Sequence, residues 1–361
     1  MSTLNLIPKN KYRFLLSKDL PKGSFEEDTG ELIRYFVLIL IYLLGIIALT
    51  NIQSLLIKIP LSISMGIVLT SLTFFLHDLM HGSYLKSKRI TYLVGLSIGI
   101  LNFFPPFFWQ RLHNFHHSRT GNIDDPDRMY LLDEKPKNLF EIFQYKMRIS
   151  SEAYNPILSL IFISTGFFWY FGSTLFYGLI ARSLGIKIPK KYQRIQELFK
   201  WKDKLFVIGE LVLILSFQLF LFNLVAQGNF LDYFFISLLP VLIAHFILML
   251  HIHTNHFLSP FTGDIDDPLV NAISLKYNKV FDKLFLNFSH HVEHHLFPAM
   301  SPRHYPKVRK LLLNHYPNRF QLIPIVDSVR LLFNTPRIYA DNTHLVTLDG
   351  KKVFNCLLPK E

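Results

Sequence analysis

A single cysteine, Cys356, stands near the end of the 361-residue chain, which excludes a disulfide framework and a thiolate metal cluster. Any metal must therefore be held by nitrogen and oxygen. Charge is also scarce: 18% of residues are charged and half are hydrophobic, with a mean hydropathy of +0.27, too apolar for a soluble domain of this size. The sequence contains neither a low-complexity segment nor a solenoid period. The polar, basic start MSTLNLIPKNKYRFLLSKDLPKGSFEEDTGEL lacks the apolar core and small-residue cleavage site of a signal peptide. The net charge of +12 comes with no nucleic-acid-binding motif, so no nucleic-acid partner is expected. On so apolar a chain the charge belongs in loops facing the cytoplasm and its anionic lipids.

What is present is a set of long apolar runs. Four of them, at about residues 35–51, 59–79, 205–226 and 233–255, reach the roughly 20 residues needed to cross a bilayer. The first two are joined by a short turn, as are the last two, so each pair reads as a helical hairpin. Lys9, Lys11, Arg13, Lys18, Lys22 and Arg34 precede the first span and Lys86, Lys88 and Arg89 follow the second. The turns 53–58 and 227–232 are nearly free of positive charge, which places both chain ends and the middle section in the cytoplasm. A fifth run, 157–180, is flanked by Lys146 and Arg148 before and Lys187, Lys190, Lys191 and Arg194 after. As a crossing it would put everything downstream on the wrong side, so it and the shorter run 92–104 are expected to lie in the interface. The aromatic run FFPPFFW, 103–109, suits an interfacial anchor.

Sixteen histidines are present, and their spacing is informative. His77 and His81 form HDLMH; His113, His116 and His117 form HNFHH; His291, His294 and His295 form HVEHH. Residues three and four apart share one helix face, so each cluster aims its imidazoles in one direction. At this histidine frequency even one HxxHH would arise by chance in roughly 3 of 100 such chains. Helical geometry cannot separate His290, His291 and His294 from His291, His294 and His295; the spacing of the second cluster selects the latter set. In the fourth span His253 and His256 share a face with His245, which lies two turns deeper and reads as a core histidine. His304, His315 and His344 read as surface residues. The segments TGNIDDPD, 120–127, and TGDIDDPL, 262–269, each follow a histidine cluster and read as Asp-Pro turns or as carboxylates standing behind imidazoles.

Neutral imidazole suits zinc, copper, iron and nickel. One zinc needs only three or four ligands, so eight or nine converging histidines ask for two metals. HDLMH, RLHNFHHSRTGNIDDPD and HVEHHLFP, in this order and separated by long apolar hairpins, resemble the three histidine boxes of the membrane fatty acid desaturase family from the first span to about Leu313. The resemblance implies two non-haem iron ions with dioxygen as co-substrate, forming a cis double bond in a lipid acyl chain. It implies the metal ligands His77, His81, His113, His116, His117, His291, His294 and His295, with a ninth from the LHIHT segment, best matched by His253 with His256 in reserve. It implies no catalytic residues beyond these ligands. Asp78 and Glu293 are expected to orient imidazoles, as are Asp124, Asp125 and Asp127. The chain has His291 where the front-end branch carries glutamine, and it lacks the His-Pro-Gly-Gly motif of a fused haem domain. Electrons must then come from a separate ferredoxin or b-type cytochrome docking on the basic cytoplasmic surface.

The expected fold is an all-α integral membrane protein: two transmembrane hairpins (four spans), interfacial helices, and a cytoplasmic cap carrying the di-iron site. Its parts are a cytoplasmic N-terminal segment (1–34), a first hairpin ending in box 1 (35–82) and a cytoplasmic and interfacial region with box 2 (83–204). A second hairpin (205–256) and a C-terminal cytoplasmic region with box 3 (257–361) complete it. The alternative function is a di-iron hydroxylase or ketolase acting on carotenoids, sphingolipids or alkanes.

Overall fold

The computed structural model describes residues 4–127, 135–188 and 190–359. In chain order the helices are α1 (Lys9–Leu16), α2 (Glu31–Asn51), α3 (Leu55–Met80), α4 (Lys88–Leu101), α5 (Pro106–Arg119), α6 (Leu139–Lys146), α7 (Pro156–Leu175) and α8 (Lys190–Glu197). They continue as α9 (Trp201–Phe220), α10 (Phe230–Tyr233), α11 (Leu239–His256), α12 (Pro268–Asn271), α13 (Lys279–Leu284), α14 (His291–Leu296), α15 (Tyr305–His315) and α16 (Ile325–Asn334). Among the described residues, five helical stretches are long and apolar enough to cross a membrane: Glu31–Asn51, Leu55–Met80, Pro156–Leu184, Trp201–Val225 and Phe230–His256. Four coincide with the expected spans. The fifth contains the run expected to lie in the interface, and length and composition do not distinguish it from the others.

The chain divides into two compact units. One comprises Phe25–Leu112 and Phe167–Leu248 and contains most of the apolar helix length. Several polar side chains on its helices pair with one another, as helices facing lipid would require. Tyr35 Oη lies 2.7 Å from Ser97 Oγ, Lys58 pairs with Asp232, and Gln218 Oε1 accepts from Tyr233 and Ser237. His245 lies 3.2 Å from the Asn102 carbonyl through Nε2, with its ring against Phe167 and Phe168; it is the core histidine its depth suggested. Between α4 and α5 the chain bends by 104°. α4 ends at Leu101 and Pro106 opens α5 at its first position; between them Phe103 takes a left-handed φ of 55°, and Gly99 lies so close to the Phe104 carbonyl that a Cβ would approach it to 2.3 Å. Beyond the bend Glu210 of α9, buried, accepts the amide of Phe107 at 3.0 Å. A carboxylate at that position satisfies a free N–H of the first turn of α5 and complements its dipole.

The other unit comprises Met1–Ser24, His113–Gly166 and Met249–Glu361. Its core is built from Tyr12 and Leu16 of α1, Leu269 of α12, Val292 and Leu296 of α14, and Tyr305, Val308 and Leu312 of α15. The all-α expectation holds for the bulk of the chain, but among the described residues this unit adds five short strands. β1 (Ser274–Lys276) runs parallel to β2 (Leu322–Pro324), and β3 (Ile338–Tyr339), β4 (His344–Val346) and β5 (Val353–Asn355) form an antiparallel sheet. Beside that sheet Arg337 is fully buried, its guanidinium donating to the carbonyls of Ile149, Pro336 and Leu332 and to Thr335 Oγ1. Cys356 packs with Phe261, Tyr339 and Leu345 in the core beneath the strands. The C-terminal region, polar in sequence, is thus folded around these buried residues.

Candidate metal centre

Boxes 2 and 3 lie within the same unit, and their imidazoles face one another in two groups. In the first, one ring nitrogen from each of His113, His117 and His294 lies within 4.8 Å of the others. His117 Nε2 is 3.1 Å from His113 Nε2 and 3.0 Å from His294 Nε2. The second group gathers His116, His256 and His295 in the same way, with His116 Nε2 3.4 Å from His295 Nε2. His291 joins it: its Nε2 is 3.1 Å from His295 Nε2 and 2.6 Å from His256 Nε2. All of these side chains are buried.

The opposite ring nitrogens point to partners of another kind. His116 Nδ1 lies 2.7 Å from Asp125 Oδ1 and His294 Nδ1 lies 3.0 Å from Tyr305 Oη. His295 Nδ1 faces Thr120 Oγ1 and His256 Nδ1 faces the Asn271 carbonyl, both at 3.4 Å. Partners at Nδ1 favour the tautomer that carries its proton there and presents a lone pair at Nε2. Lone pairs facing one another at these distances repel, unless a cation stands among them. Two imidazoles bound to one metal at about 2.1 Å each would hold their nitrogens about 3.0 to 3.4 Å apart at right-angled or tetrahedral angles, and most of the observed separations fall in that range. The donor set therefore fits metal ions held by nitrogen, which a single cysteine remote from these histidines had already required.

Electrostatics agree. Burial opposes a charge on His116, but Asp125 and Asp127 outweigh it and raise its pKa to about 9. The pocket attracts positive charge at that ring, which a metal cation can supply in place of a proton. Burial and the neighbouring imidazoles of His291, His116, His256 and His294 push His295 well below the ordinary histidine range, into the neutral form that ligates.

His77 and His81 of box 1 belong to the other unit, at the end of α3. Their rings are 5.1 Å apart between centroids. His77 Nδ1 lies 2.9 Å from Asp78 Oδ1, and Tyr84 donates to Oδ2 of the same carboxylate at 3.3 Å. Asp78 thus orients an imidazole, as Asp125 does in box 2, while Asp127 Oδ2 stands 3.6 Å from His116 Nδ1 as a nearby charge.

Two placements differ from the sequence expectation. His253, the preferred ninth ligand, has Nδ1 2.6 Å from the Met249 carbonyl and its ring against Phe257, and it joins neither group among the described residues. His256, held in reserve, is the residue that joins. Three residues further along α11 turns the side chain by about 60°, and this rotation brings His256 to His291. Glu293 meets no imidazole by hydrogen bond among the described residues either. Fully buried, it accepts from Arg309 Nε at 2.6 Å and from Ser274 Oγ, tying α14 to α15 and β1. Replacing Arg309 by alanine would leave this carboxylate buried and unpaired, so a destabilisation of about 3–5 kcal/mol is expected, to be read as a lowered thermal or denaturant midpoint of the purified protein. His290 stays outside both groups, with Nδ1 3.1 Å from Ser289 Oγ.

The two Asp-Pro segments, whose roles the sequence left open, hold each other. The Thr262 amide donates to the Gly121 carbonyl at 2.9 Å, and Asn122 Nδ2 donates to the Gly263 carbonyl and to Asp264. Gly121 adopts φ +78°, and a Cβ there would meet Thr262 Oγ1 at 2.4 Å, so only glycine fits. No sequence signal marked this pairing beyond the repeat itself.

A model of the family described as fatty acid desaturase matches residues 54–323. The chain is 34% identical over 71 residues to a Bacillus subtilis fatty acid desaturase, covering 20% of each protein. It is 27% identical over 145 residues to a Synechocystis sn-1 acyl-lipid omega-3 desaturase (ferredoxin), covering 40% of this chain and 39% of the relative. With the Glycine max omega-6 fatty acid desaturase, endoplasmic reticulum isozyme 1, identity is 22% over 245 residues, 66% of this chain and 61% of the relative. The matched parts thus span from a fifth to about three fifths of these relatives' own lengths. With the family match extending across all three histidine boxes, the chain belongs to the fatty acid desaturase family.

Proposed function

We propose that this protein is a membrane acyl desaturase that introduces a cis double bond into a lipid acyl chain. The observation that carries the reading is the convergence of Nε2 atoms from boxes 2 and 3 while Nδ1 partners orient the rings. Two iron ions are the proposed metals, held by His77, His81, His113, His116, His117, His291, His294 and His295, with His256 as ninth ligand. When bound they supply the oxidising power that dioxygen develops on receiving electrons.

The balance is a removal of two hydrogens from adjacent methylenes of the acyl chain, with dioxygen reduced to two waters by the two electrons and two protons so released together with two electrons from an external donor and two protons from the medium. The protein's residues do the holding: Asp125 and Tyr305 fix the orientation of His116 and His294, and the burial of both groups excludes bulk water. An acyl chain esterified in a membrane lipid is the proposed substrate and a ferredoxin the proposed donor, as the name of the Synechocystis relative suggests. Four stretches are proposed to cross the bilayer, with Pro156–Leu184 lying in the interface. The charge distribution then puts the histidine boxes on the cytoplasmic side.

Fatty-acid profiling of a host expressing the chain, with location of double bonds, tests the reading. New double bonds are expected in lipid acyl chains; unchanged acyl chains in a host that supplies iron and a ferredoxin would refute it.

A further inference from the structure

In sequence, the residues ahead of the first span show only positive charge expected in the cytoplasm. In the structure α1 lies against the histidine helices instead. Lys9 Nζ donates to the carbonyl of His117 at 3.1 Å, in the last turn of α5, and pairs with Asp266 at 2.6 Å. Arg13, one turn further, donates through Nε to the carbonyl of Leu296, the last residue of α14. These are carbonyls that helix ends leave without an intrahelical partner, and a cation is the group that suits them. Lys9 and Arg13 share one face of α1, while Tyr12 and Leu16 on the adjoining face enter the core with Val292 and Leu296.

The segment is anchored by the second Asp-Pro motif. Asp267 accepts from the Ile7 amide at 2.7 Å, from Tyr12 Oη at 3.2 Å and from Arg319. Arg319 in turn donates to Tyr12 Oη and to the Asn5 carbonyl. Asp266 and Asp267, unlike Asp125 and Asp127, thus meet the N-terminal segment rather than an imidazole.

We propose that residues 5–16 form a positioning strap for the metal centre. Lys9 and Arg13 fix the ends of the two helices that carry boxes 2 and 3, and Asp266 and Asp267 hold the strap in place. The proposal rests on the metal reading for one of its two readouts only.

The test uses the purified full chain carrying Lys9→Met together with Arg13→Gln, with Lys9→Met alone should the double variant fail to fold. Phe14→Ala, at a side chain 66% exposed, serves as control and Lys9→Arg as the conservative variant. In metal-free protein, faster amide exchange is expected at residues 117–122 and 294–299, and not elsewhere. In iron-loaded protein, loss of iron to a chelator is expected to speed up by about tenfold, the lower end of the effect of removing a group behind a metal ligand, with Lys9→Arg close to wild type. Unchanged exchange at both helix ends, or an equal rise across the whole chain, overturns the strap. Absence of bound iron in the wild type overturns the metal reading, while the exchange measurement still decides on the strap.

Discussion

His294→Ala is expected to abolish product formation and lower bound iron while leaving membrane insertion intact. The residue lies on α14, outside the five apolar stretches, so its loss removes no hydrophobic length from any span. Its Nε2 is 3.0 Å from His117 Nε2, and Tyr305 holds its other nitrogen, so alanine deletes one member of a group of three and leaves the tyrosine's partner empty. Removing a group behind a ligand costs about 10- to 100-fold in affinity or activity, and removing the ligand itself costs more; a loss of at least about 100-fold in product is expected. Metal analysis, acyl-chain profiling and membrane fractionation check the three parts. Full iron and activity in the variant would sink the ligand assignment.

The second large effect separates two histidines on one helix. His256→Ala is expected to cost about half of the bound iron and about 100-fold in activity, since His256 Nε2 faces His291 and shares a group with His116 and His295. His253→Ala is expected to keep its iron, because that ring is engaged with the Met249 carbonyl and Phe257. Iron content measured side by side for the two variants decides: the reverse pattern would restore His253 as the ligand.

This pair shows where sequence reading stops. Spacing along a helix tells which residues share a face, and both histidines share one with His245; the choice between them depends on His291, on a separate helix 35 positions away. The long apolar stretches and the two HxxHH clusters were legible because their signals are local, in hydropathy and in i, i+3, i+4 spacing. The fifth apolar stretch was legible as helix but not as crossing or interfacial, since its length and composition match those of the other four and only the flanking charge argued otherwise. Glu293 was misjudged because a carboxylate inside a box looks like a support for imidazoles, whereas its actual partner, Arg309, comes from the next helix. Lys9 and Arg13 were invisible as site residues for the same reason: their partners are carbonyls of distant helices, and a carbonyl has no signature in sequence.

The contact between His116 and His295 joins positions 179 residues apart. Chains are made at about 5–20 residues per second, so box 2 waits roughly 10 to 40 s for the helix that completes its group to be synthesised. For that interval His116 has Asp125 beside it but not His295, and the Lys9 ammonium waits longer still for the Asp266 carboxylate, 257 positions away. On the proposed metal reading, loading would be a late event in the life of each molecule, and a cell short of iron would hold a standing population of finished but empty chains.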